Sequence, residues 1–455
     1  MQQRIRYAQV GLGLRSWLYS LAAVNRFPDH AALVGLCDAN AGRLAQRVGW
    51  ARANGLEVPG YAPGDFERMI AETRPNRVIV TTPDRDHDAY LCRAMELGCD
   101  VVTEKPLTID AVRLQRILDA QRATGRRCTV TFNYRYAPPR AQVRELLASG
   151  AIGEVRSVEF QWLLDTTHGA DYFRRWHRRK ENSGGLLVHK ATHHFDLVNW
   201  WIGSVPKRVF ATGSRRFYTP AQAHARGLDQ RGERCLGCPE TGRCPFFLDL
   251  RQGFLRALYL EHEAHDGYHR DQCVFSETIN IEDSVSVAVE YRSGVHLSYA
   301  LEAASPWEGY VVAFNGTKGR LEHRCRETVY VSGDGRDPGA LLPDETRTTL
   351  LPHFEKPVEL EVWTGEGGHG GGDEKLAEDL FAPSIATDCW GRRADHRAGA
   401  WSILTGIAAN QSIETGRAVD VETLVRGLEL PDGVNPGSTH PAAALETKAA
   451  QPSGA

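Results

Sequence analysis

Hydrophobic residues in the first 130 positions form short continuous runs that alternate with segments of helical periodicity. The run at 77–82, RVIVTT, has a continuous apolar centre, which suits a parallel strand buried on both faces. Segments 14–25 and 87–98 have the pattern of helices. Strands are predicted at 5–10, 32–37, 77–82 and 100–103. This alternation predicts an α/β domain over residues 1–130.

The pattern changes after residue 130, where period-two alternation becomes common. Strands are predicted at 129–133, 155–164, 209–213, 284–291, 295–303 and 310–315. Few helices intervene, which favours an α+β domain over residues 131–426 with a large open mixed or antiparallel sheet. Helices are predicted at 138–149, 373–381 and 397–414, and we expect those within 373–426 to pack back on the first domain. The polar, proline-rich segment 427–455 is predicted to be a disordered tail.

A glycine-rich turn follows the first predicted strand. Gly11 and Gly13 permit a tight turn and close approach of a pyrophosphate, which the free N–H groups of the next helix can hold. The third small position of this pattern is Ser16. Asp38 ends the second predicted strand, where a carboxylate can accept hydrogen bonds from ribose hydroxyls and repel a 2'-phosphate. The sequence therefore predicts a dinucleotide-binding domain that prefers NAD to NADP.

Two further loops follow predicted strands of the same domain, at 83–87 and 104–106. The carboxyl ends of parallel strands meet at one edge of a sheet, where ligands bind in such domains. Pro106 biases Lys105 toward an extended conformation and fixes the turn. The predicted cofactor-binding residues are Gly11, Gly13, Leu14, Arg15, Asp38, Thr82, Pro83, His87, Glu104 and Lys105.

Residues 184–196, GGLLVHKATHHFD, combine three histidines, a lysine and an aspartate behind a glycine pair. If the stretch is helical, His189 and His193 share one face, and Lys190 and His194 form a second pair. A lone histidine of this kind is more often structural, whereas three histidines with a lysine leave structural and catalytic interpretations open.

A series of motifs in order along the chain resembles the Gfo/Idh/MocA oxidoreductases, a family that acts mainly on sugars, polyols and their derivatives. The motifs are GLG at 11–13, TTPDRDH at 81–87, EKP at 104–106, FNYRYAPP at 132–139, GAIGEV at 150–155, the stretch 184–196, and FNGTKGRLE at 314–322. The resemblance implies a Rossmann domain over residues 1–130, with Lys105 between nicotinamide and substrate. It also implies a homodimer or homotetramer contact through the open sheet of the second domain.

Members of that family commonly carry an acidic residue four positions before a histidine and an aspartate three positions after it. His193 and Asp196 match the last two, whereas His189 occupies the acidic position, so a fixed negative charge is missing there. Hydride transfer from a carbinol needs a nearby base, and His193 is the candidate, with an intrinsic pKa near roughly 6.5. Lys105 could stabilise oxyanion character by its charge, or carry the proton itself if its pKa is depressed, and the sequence leaves these roles open.

The predicted substrate residues lie in several segments. His369 belongs to a glycine-rich loop at 365–372, which could be a flexible linker. A similar GHGGGD segment in a subgroup of the resembling family favours a pocket loop instead. The predicted substrate residues are Arg135, His189, Lys190, His193, His194 and His369, and the predicted catalytic residues are Lys105 and His193.

Cysteines are concentrated in one segment, 231–273, which we interpret as an insertion. Cys235 and Cys238 have the CxxC spacing that can bind a tetrahedral ion, and Cys244 and Cys273 could complete the site. A structural zinc ion is predicted, with an iron–sulfur cluster or a set of buried thiols as alternatives. A subgroup of the resembling family carries similar cysteines in a long insertion.

Composition restricts the class of protein. The 455 residues are 42% hydrophobic and 24% charged, as in ordinary soluble globular proteins. The net charge of −3 argues against a nucleic-acid surface, and no apolar run approaches the roughly 20 residues of a membrane span. We therefore expect a cytoplasmic protein with a small-molecule carbohydrate substrate, no nucleic-acid partner and no membrane contact.

These features together favour an NAD-dependent oxidoreductase that transfers hydride between a sugar or polyol hydroxyl carbon and nicotinamide. An alternative is an NAD-dependent glycoside hydrolase, which some relatives exemplify by transient oxidation, elimination and re-reduction. A non-catalytic nucleotide-sensing protein is disfavoured because Lys105 and His193 are both present.

Overall fold

Strands β1 to β6 build most of the sheet of the first domain, and their pairings are all parallel. The computed structural model describes residues 4–329, 339–382, 388 and 390–434. The strands are β1 (Ile5–Val10), β2 (Ala31–Cys37), β3 (Gly60–Tyr61), β4 (Arg77–Val80), β5 (Asp100–Thr103) and β6 (Cys128–Val130). The helices are α1 (Trp17–Leu21), α2 (Ala41–Ala53), α3 (Phe66–Thr73), α4 (His87–Glu96) and α5 (Ala111–Thr124).

The spatial order β3-β2-β1-β4-β5-β6 reverses direction between β1 and β4. In open α/β sheets this reversal creates the crevice in which a dinucleotide binds. The central strands are apolar because helices cover both faces, and Val78 and Val80 of β4 are fully buried. The predicted α/β domain is confirmed, and the four strands predicted within it match β1, β2, β4 and β5 to within two residues. Strand β3 was not predicted, and the strand expected at 129–133 in the second domain is instead β6 of the first sheet, which ends at Val130.

The second domain contains the remaining helices and strands, of which β15 alone pairs with the sheet of the first domain among the described residues. Its helices are α6 (Pro138–Ala148), α7 (Thr166–Arg174), α8 (Lys180–Ser183), α9 (Gly185–His189), α10 (Thr192–Ile202), α11 (Pro220–Ala225), α12 (Gly253–Leu258), α13 (Gly372–Phe381) and α14 (His396–Thr415). Its strands are β7 (Val155–Asp165), β8 (Pro206–Ser214), β9 (Ser284–Tyr291), β10 (His296–Ser305), β11 (Glu308–Gly316), β12 (Gly319–Glu327), β13 (Arg347–Pro352), β14 (Val358–Leu360), β15 (Ala394–Asp395) and β16 (Val419–Asp420). None of the described helices is long and apolar enough to cross a membrane.

A nine-stranded sheet is the core of the second domain, in the order β14-β13-β12-β11-β7-β10-β9-β8-β16. The central pair β7 and β10 is parallel, and the other pairs are antiparallel. Buried and exposed residues alternate along β9 and β10, so one face packs on helices and the other is open. The predicted open mixed sheet is confirmed.

Helices α13 and α14 connect the second domain to the first. The hydroxyl of Tyr7 in β1 donates to the carbonyl of Leu380 at 2.9 Å, and its ring packs on Phe381. Strand β15 also pairs antiparallel with β6 and becomes the seventh strand of the first sheet, which the sequence did not predict. Helix α13 and strand β15 therefore both contact the sheet of the first domain.

Two sequence expectations about continuity need correction. The stretch 184–196 is not one helix, because α9 ends at His189 and α10 begins at Thr192.

Residues 427–434 pack along α14, where Trp401 donates to the carbonyl of Glu429 at 2.9 Å and Arg397 pairs with Asp432. The rest of the predicted tail, 435–455, lies outside the described residues.

Candidate active site

The glycine turn after β1 lies tightly against the loop that follows β4. Gly11 has a φ of +83°, and a Cβ built there would lie 2.5 Å from the backbone nitrogen of Thr82. A side chain at this position would therefore collide with the neighbouring loop, as well as strain the backbone. This contact brings the predicted cofactor loops 11–14 and 82–87 together at the carboxyl edge of the sheet.

Asp38 stands at the end of β2, beside that turn. Its carboxylate accepts hydrogen bonds from the backbone nitrogens of Leu12 at 2.5 Å and Asn40 at 2.6 Å. The guanidinium of Arg43 lies 3.4 Å away. A carboxylate at this position can accept hydrogen bonds from ribose hydroxyls, and glycine at positions 11 and 13 lets the backbone of the turn approach a pyrophosphate. These residues therefore fit a dinucleotide.

His87 contacts the same loops from the interior of the domain. Its ring nitrogens face the carbonyl oxygens of Pro106 at 2.9 Å and Thr82 at 3.0 Å. The ring is fully buried, so it connects the loop after β4 to the loop after β5 rather than reaching outward. We therefore interpret His87 as a residue that positions the cofactor loops.

Lys105 follows β5 and is the centre of the site. Its Nζ donates to the carbonyl of His189 at 3.1 Å and lies 3.2 Å from the Nε2 of the same residue. Burial lowers the pKa of Lys105 to about 8, against the opposing effect of the Asp84 and Glu104 carboxylates. The amine can therefore exchange a proton close to neutral pH.

His189 links Lys105 to a carboxylate that the sequence analysis did not select. Its Nδ1 lies 2.5 Å from the Oδ2 of Asp84, in the loop after β4. Burial lowers the pKa of His189 well below its usual value, and Lys105 lowers it further. With a neutral ring and Lys105 donating to Nε2, the ring proton lies on Nδ1 and is donated to Asp84.

Aromatic rings enclose this chain of contacts. The ring centroid of His177 lies 4.2 Å from that of His189, and those of Tyr172 and Trp176 lie at 5.6 and 5.8 Å. Burial raises the pKa of Asp84 well above its usual value, although Lys105 opposes the increase. Burial therefore disfavours charge on both members of the Asp84–His189 pair, while the nearby Lys105 favours the ionised carboxylate of Asp84.

His193, the predicted base, stacks on the ring of Tyr134 with 4.0 Å between centroids. Its Nδ1 is buried and, within the described residues, has no hydrogen-bond partner. Burial and the nearby charge of Lys105 lower the pKa of His193 well below its usual value. The ring is neutral at pH 7 and retains hydrogen-bonding capacity for a substrate.

Lys190 lies on the other side of Tyr134. Its Nζ donates to the Tyr134 hydroxyl at 2.9 Å and lies 4.7 Å from the centroid of the Trp162 ring. Burial lowers the pKa of Lys190 to about 8, while the Glu308 and Glu327 carboxylates oppose the decrease. Tyr134 thus lies between Lys190 and His193, so both residues lie on the same side of the site.

Arg15 crosses between the two domains. Its guanidinium pairs with Glu104 at 2.6 Å and, through two hydrogen bonds, with Asp373 at the start of α13. His369 in the glycine-rich loop also contacts Asp373, at 2.7 Å from Nδ1. The loop 365–372 therefore reaches the same edge of the first domain as Lys105, as a pocket loop requires.

Two other residues of the predicted substrate set, Arg135 and His194, have structural partners. Arg135 makes two hydrogen bonds to Asp196, at 2.6 and 2.7 Å, and both side chains are buried. Asp196 therefore pairs with Arg135 instead of orienting His193. His194 bonds to the Tyr299 hydroxyl at 2.7 Å and stacks on Trp162. Because of these partners, the proposed substrate site does not include Arg135 or His194.

Asp84, Tyr134 and Asp373 were not among the residues predicted from the sequence, although each lies in or directly beside a motif that carried a prediction. Asp84 belongs to TTPDRDH, Tyr134 to FNYRYAPP, and Asp373 directly follows the glycine loop. Their residue types are common in loops, and only their partners distinguish them. The missing carboxylate near His189 was the available signal, because it raised the question of where a compensating carboxylate lies.

The four cysteines of the insertion line one small cavity of about 30 Å³. Backbone N–H groups of Leu248 and Gly232 point at the sulfurs of Cys235 and Cys238, at 3.4 and 3.3 Å. Nevertheless, no group of three or more His, Cys, Asp or Glu side chains within the described residues could hold a metal ion. Burial raises the thiol pKa values of Cys235, Cys244 and Cys273, which favours the protonated form. The predicted zinc ion therefore has no support in the structure, and we assign no metal.

Comparison with known families agrees with this geometry. Residues 5–132 match the oxidoreductase family model for the NAD-binding Rossmann fold, and residues 144–421 match the model for the C-terminal alpha/beta domain of the same family. The chain belongs to the Gfo/Idh/MocA oxidoreductase family. A relative, YteT of Bacillus subtilis (strain 168), named only as an oxidoreductase, is 35% identical over 427 residues, which cover 90% of this chain and 97% of that protein.

Other members of the family carry more specific names. Inositol 2-dehydrogenase of Rhizobium meliloti (strain 1021) is 30% identical over 210 residues, covering 46% of this chain and 58% of the relative. Glycosyl hydrolase family 109 protein 2 of Akkermansia muciniphila is 28% identical over 195 residues, 41% of each chain. The WlbA dehydrogenase of Bordetella pertussis, solved with NADH and UDP-GlcNAcA, superposes with a TM-score of 0.59 at 18% identity and shows the same fold, covering 92% of this chain and 99% of its own.

Proposed function

We propose that this oxidoreductase uses NAD to act on a hydroxyl-bearing carbon of a sugar or polyol derivative. The observation that carries the proposal is the hydrogen-bonded series Asp84, His189, Lys105 at the carboxyl edge of the sheet, next to the glycine turn. A buried lysine with a pKa of about 8, in line with a neutral imidazole, suits proton transfer to and from a carbinol. When bound, NAD supplies the hydride acceptor that carbinol oxidation requires.

Lys105 is proposed as the group that exchanges the substrate proton. In the oxidation direction its neutral amine takes the hydroxyl proton, and in the reduction direction its ammonium returns one to the carbonyl oxygen. The Nε2 of His189 accepts a hydrogen bond from the ammonium, and Asp84 holds the ring in the required tautomer. The sequence left two roles open for Lys105, stabilising oxyanion character by its charge or carrying the proton, and we propose the second.

His193 is proposed to position the substrate hydroxyl and to remain the alternative base. It is neutral, buried and stacked on Tyr134, and its Nδ1 has no hydrogen-bond partner in the part of the chain that the structure describes, so a hydrogen bond to substrate would relieve an existing cost. His369 and Lys190 complete the proposed substrate set, with Tyr134 as their shared neighbour.

Redox-assisted glycoside cleavage is the second candidate. It uses the same proton and hydride steps, and a glycosyl hydrolase is among the relatives of this chain. A panel of sugars and polyols should be incubated with NAD and NADP in parallel, with absorbance at 340 nm as the readout. A set of nitrophenyl glycosides should be incubated under the same conditions, with nitrophenol release as the readout.

NADH formation with a free sugar supports the dehydrogenase, and nitrophenol release without NADH accumulation supports the glycosidase. A Lys105→Met variant should lose either activity while it still binds the cofactor. Failure of the wild-type protein to bind either NAD or NADP would contradict the proposal as a whole.

We also propose that the protein self-associates through the open face of the nine-stranded sheet. Phe210 in β8 and Val311 in β11 are 44% and 37% exposed on a shallow concavity of this face. Phe210, Ala288 and Val311 line this concavity together with Glu159, Arg320 and Glu322, and such a mixture of apolar and charged side chains occurs in protein interfaces. Light scattering after gel filtration should show a dimer or tetramer, and Phe210→Glu should shift the mass toward the monomer.

A further inference from the structure

A segment of the cysteine-containing insertion crosses over the dinucleotide groove of the first domain. We name residues 253–268 the strap; it comprises α12, a 3-10 turn at Leu260–His265 and the three residues that follow. At the glycine turn, the hydroxyl of Tyr259 accepts a hydrogen bond from the backbone nitrogen of Leu14 at 3.1 Å. The ring of Phe254 packs edge-on against Trp17, with 5.9 Å between centroids.

The strap also contacts the opposite edge of the groove, beside Asp38. Asn40 donates to the carbonyl of His262 at 2.8 Å, and Arg43 pairs with Asp266 at 2.6 Å. A Cβ on Gly42 would collide with the His262 ring, so this glycine lets the strap approach α2 closely. The strap therefore extends from the glycine turn, where a pyrophosphate would bind, to the residues beside Asp38, where a ribose would bind.

The insertion fixes the strap from its other side. Arg234, next to Cys235, makes two hydrogen bonds to Glu263 in the strap, at 3.0 and 2.8 Å. The same guanidinium pairs with Asp271, which is fully buried and also accepts from the backbone nitrogen of Leu236. Arg234 also lines the cavity formed by the four cysteines, so the rest of the insertion holds the strap against the first domain through this guanidinium.

We infer that the strap is part of the cofactor site and keeps the dinucleotide bound between turnovers. This inference rests on the proposed use of NAD. A ligand in the groove between Leu14 and Asp38 lies beneath the strap, so its departure requires that contacts such as Arg43–Asp266 break. The Tyr259 hydroxyl can exchange its contact with the Leu14 N–H for donation to a phosphate oxygen.

Retention of the cofactor restricts the class of overall reaction. A cofactor that does not exchange must return to its starting redox state in the same site. The hydride and proton removed from a carbinol carbon and its hydroxyl then go back to the same carbon skeleton or to a second carbonyl compound. The reaction is thus redox-balanced among carbohydrate substrates, which favours the second candidate function or an exchange between two sugars.

The direct test measures cofactor retention and release. The full-length protein is loaded with NADH and passed through gel filtration, and the retained NADH is quantified after acid or heat release. The release rate is then followed by the loss of protein-bound NADH fluorescence after addition of excess NAD. We expect retention through the column and slow single-exponential release.

Two variants separate the strap from the rest of the insertion. Asp266→Asn removes the ion pair with Arg43 and should speed NADH release about fivefold, the factor equivalent to roughly 1 kcal/mol. The matched control is Asp249→Asn, four residues before the strap, whose carboxylate pairs with Arg251 outside the strap. The control should release NADH at the wild-type rate, and thermal unfolding should confirm that both variants fold.

Amide hydrogen exchange provides a second readout that does not depend on activity. Peptides from residues 253–268 should become protected when NADH is added, whereas peptides from 206–214 in β8 should not change. Equal NADH release rates in wild type and Asp266→Asn would overturn the inference. Tighter NADH binding by Asp266→Asn would also overturn it, because that result means that the strap competes with the cofactor. Absence of any NAD or NADP binding by the wild-type protein would instead contradict the proposed function.

Discussion

The carboxylate of Asp84 lies 2.5 Å from the Nδ1 of His189, and the opposite nitrogen of that ring lies 3.2 Å from the Nζ of Lys105. In the resembling family an acidic residue is common at the position of His189. Here the carboxylate is supplied by the loop after β4, and the imidazole separates it from the lysine. A proton can therefore be shared along a line of three groups rather than between two.

Replacing Asp84 tests this arrangement. Asp84→Asn keeps the size of the side chain but removes the carboxylate that fixes the His189 tautomer, so turnover should fall on the order of 10-fold to 10²-fold. The Asp84 charge raises the pKa of Lys105, so its loss should also move the pH dependence of turnover to lower pH. Asp86→Asn, in the same loop and 43% exposed at its side chain, is the matched control. A variant with normal turnover and an unshifted pH profile would exclude a positioning role for Asp84.

Lys105 should determine the pH dependence in both directions. Its pKa is lowered to about 8 by burial, so the neutral amine needed for oxidation accumulates as the pH rises through 8. Oxidation should therefore increase up to about this pH and then level off, whereas carbonyl reduction should decline above it. Initial rates between pH 6 and 10, in each direction, check the prediction. Profiles that are flat through pH 8 would rule out Lys105 as the proton carrier.

His193 should contribute to turnover through its contact with the substrate. His193→Ala removes a neutral ring whose Nδ1 has no partner within the described residues, and should lower turnover by about 10². The ring also stacks on Tyr134, so the unfolding temperature must be measured beside the rate. Unchanged turnover in a folded variant would remove His193 from the catalytic set.

The contact between α14 and α9 should be sensitive to a single methyl group. A Cβ on Gly406 would overlap the carbonyl group of Leu187, two residues before His189, so Gly406→Ala should destabilise the protein by about 1–3 kcal/mol. Gly49 in α2 has open space around its Cα, and Gly49→Ala should stabilise by about 0.5–1 kcal/mol because alanine favours helix. Urea unfolding midpoints of the two variants should therefore move in opposite directions. A Gly406→Ala protein as stable as wild type would show that the helices can separate without cost.

Local pattern in the sequence determined most of the fold. The apolar run that became β4, the period-two alternation of β9 and β10, and the glycine turn at 11–13 reflect neighbouring residues, so periodicity and turn chemistry were enough to find them. Lys105 and the cofactor loops followed from the rule that ligands bind at the carboxyl ends of parallel strands. Strand β15 was missed because a two-residue strand has no periodicity of its own.

Only the tertiary structure decided which side chains of the site contact each other. His193 and His194 are adjacent in the sequence, yet His193 stacks on Tyr134 whereas His194 forms a hydrogen bond with the Tyr299 hydroxyl. Asp84 and His189 are separated by 105 positions, and Tyr259 meets Leu14 across 245. A pKa or a hydrogen bond depends on burial and on groups brought together by packing of distant elements, and no local pattern encodes those distances.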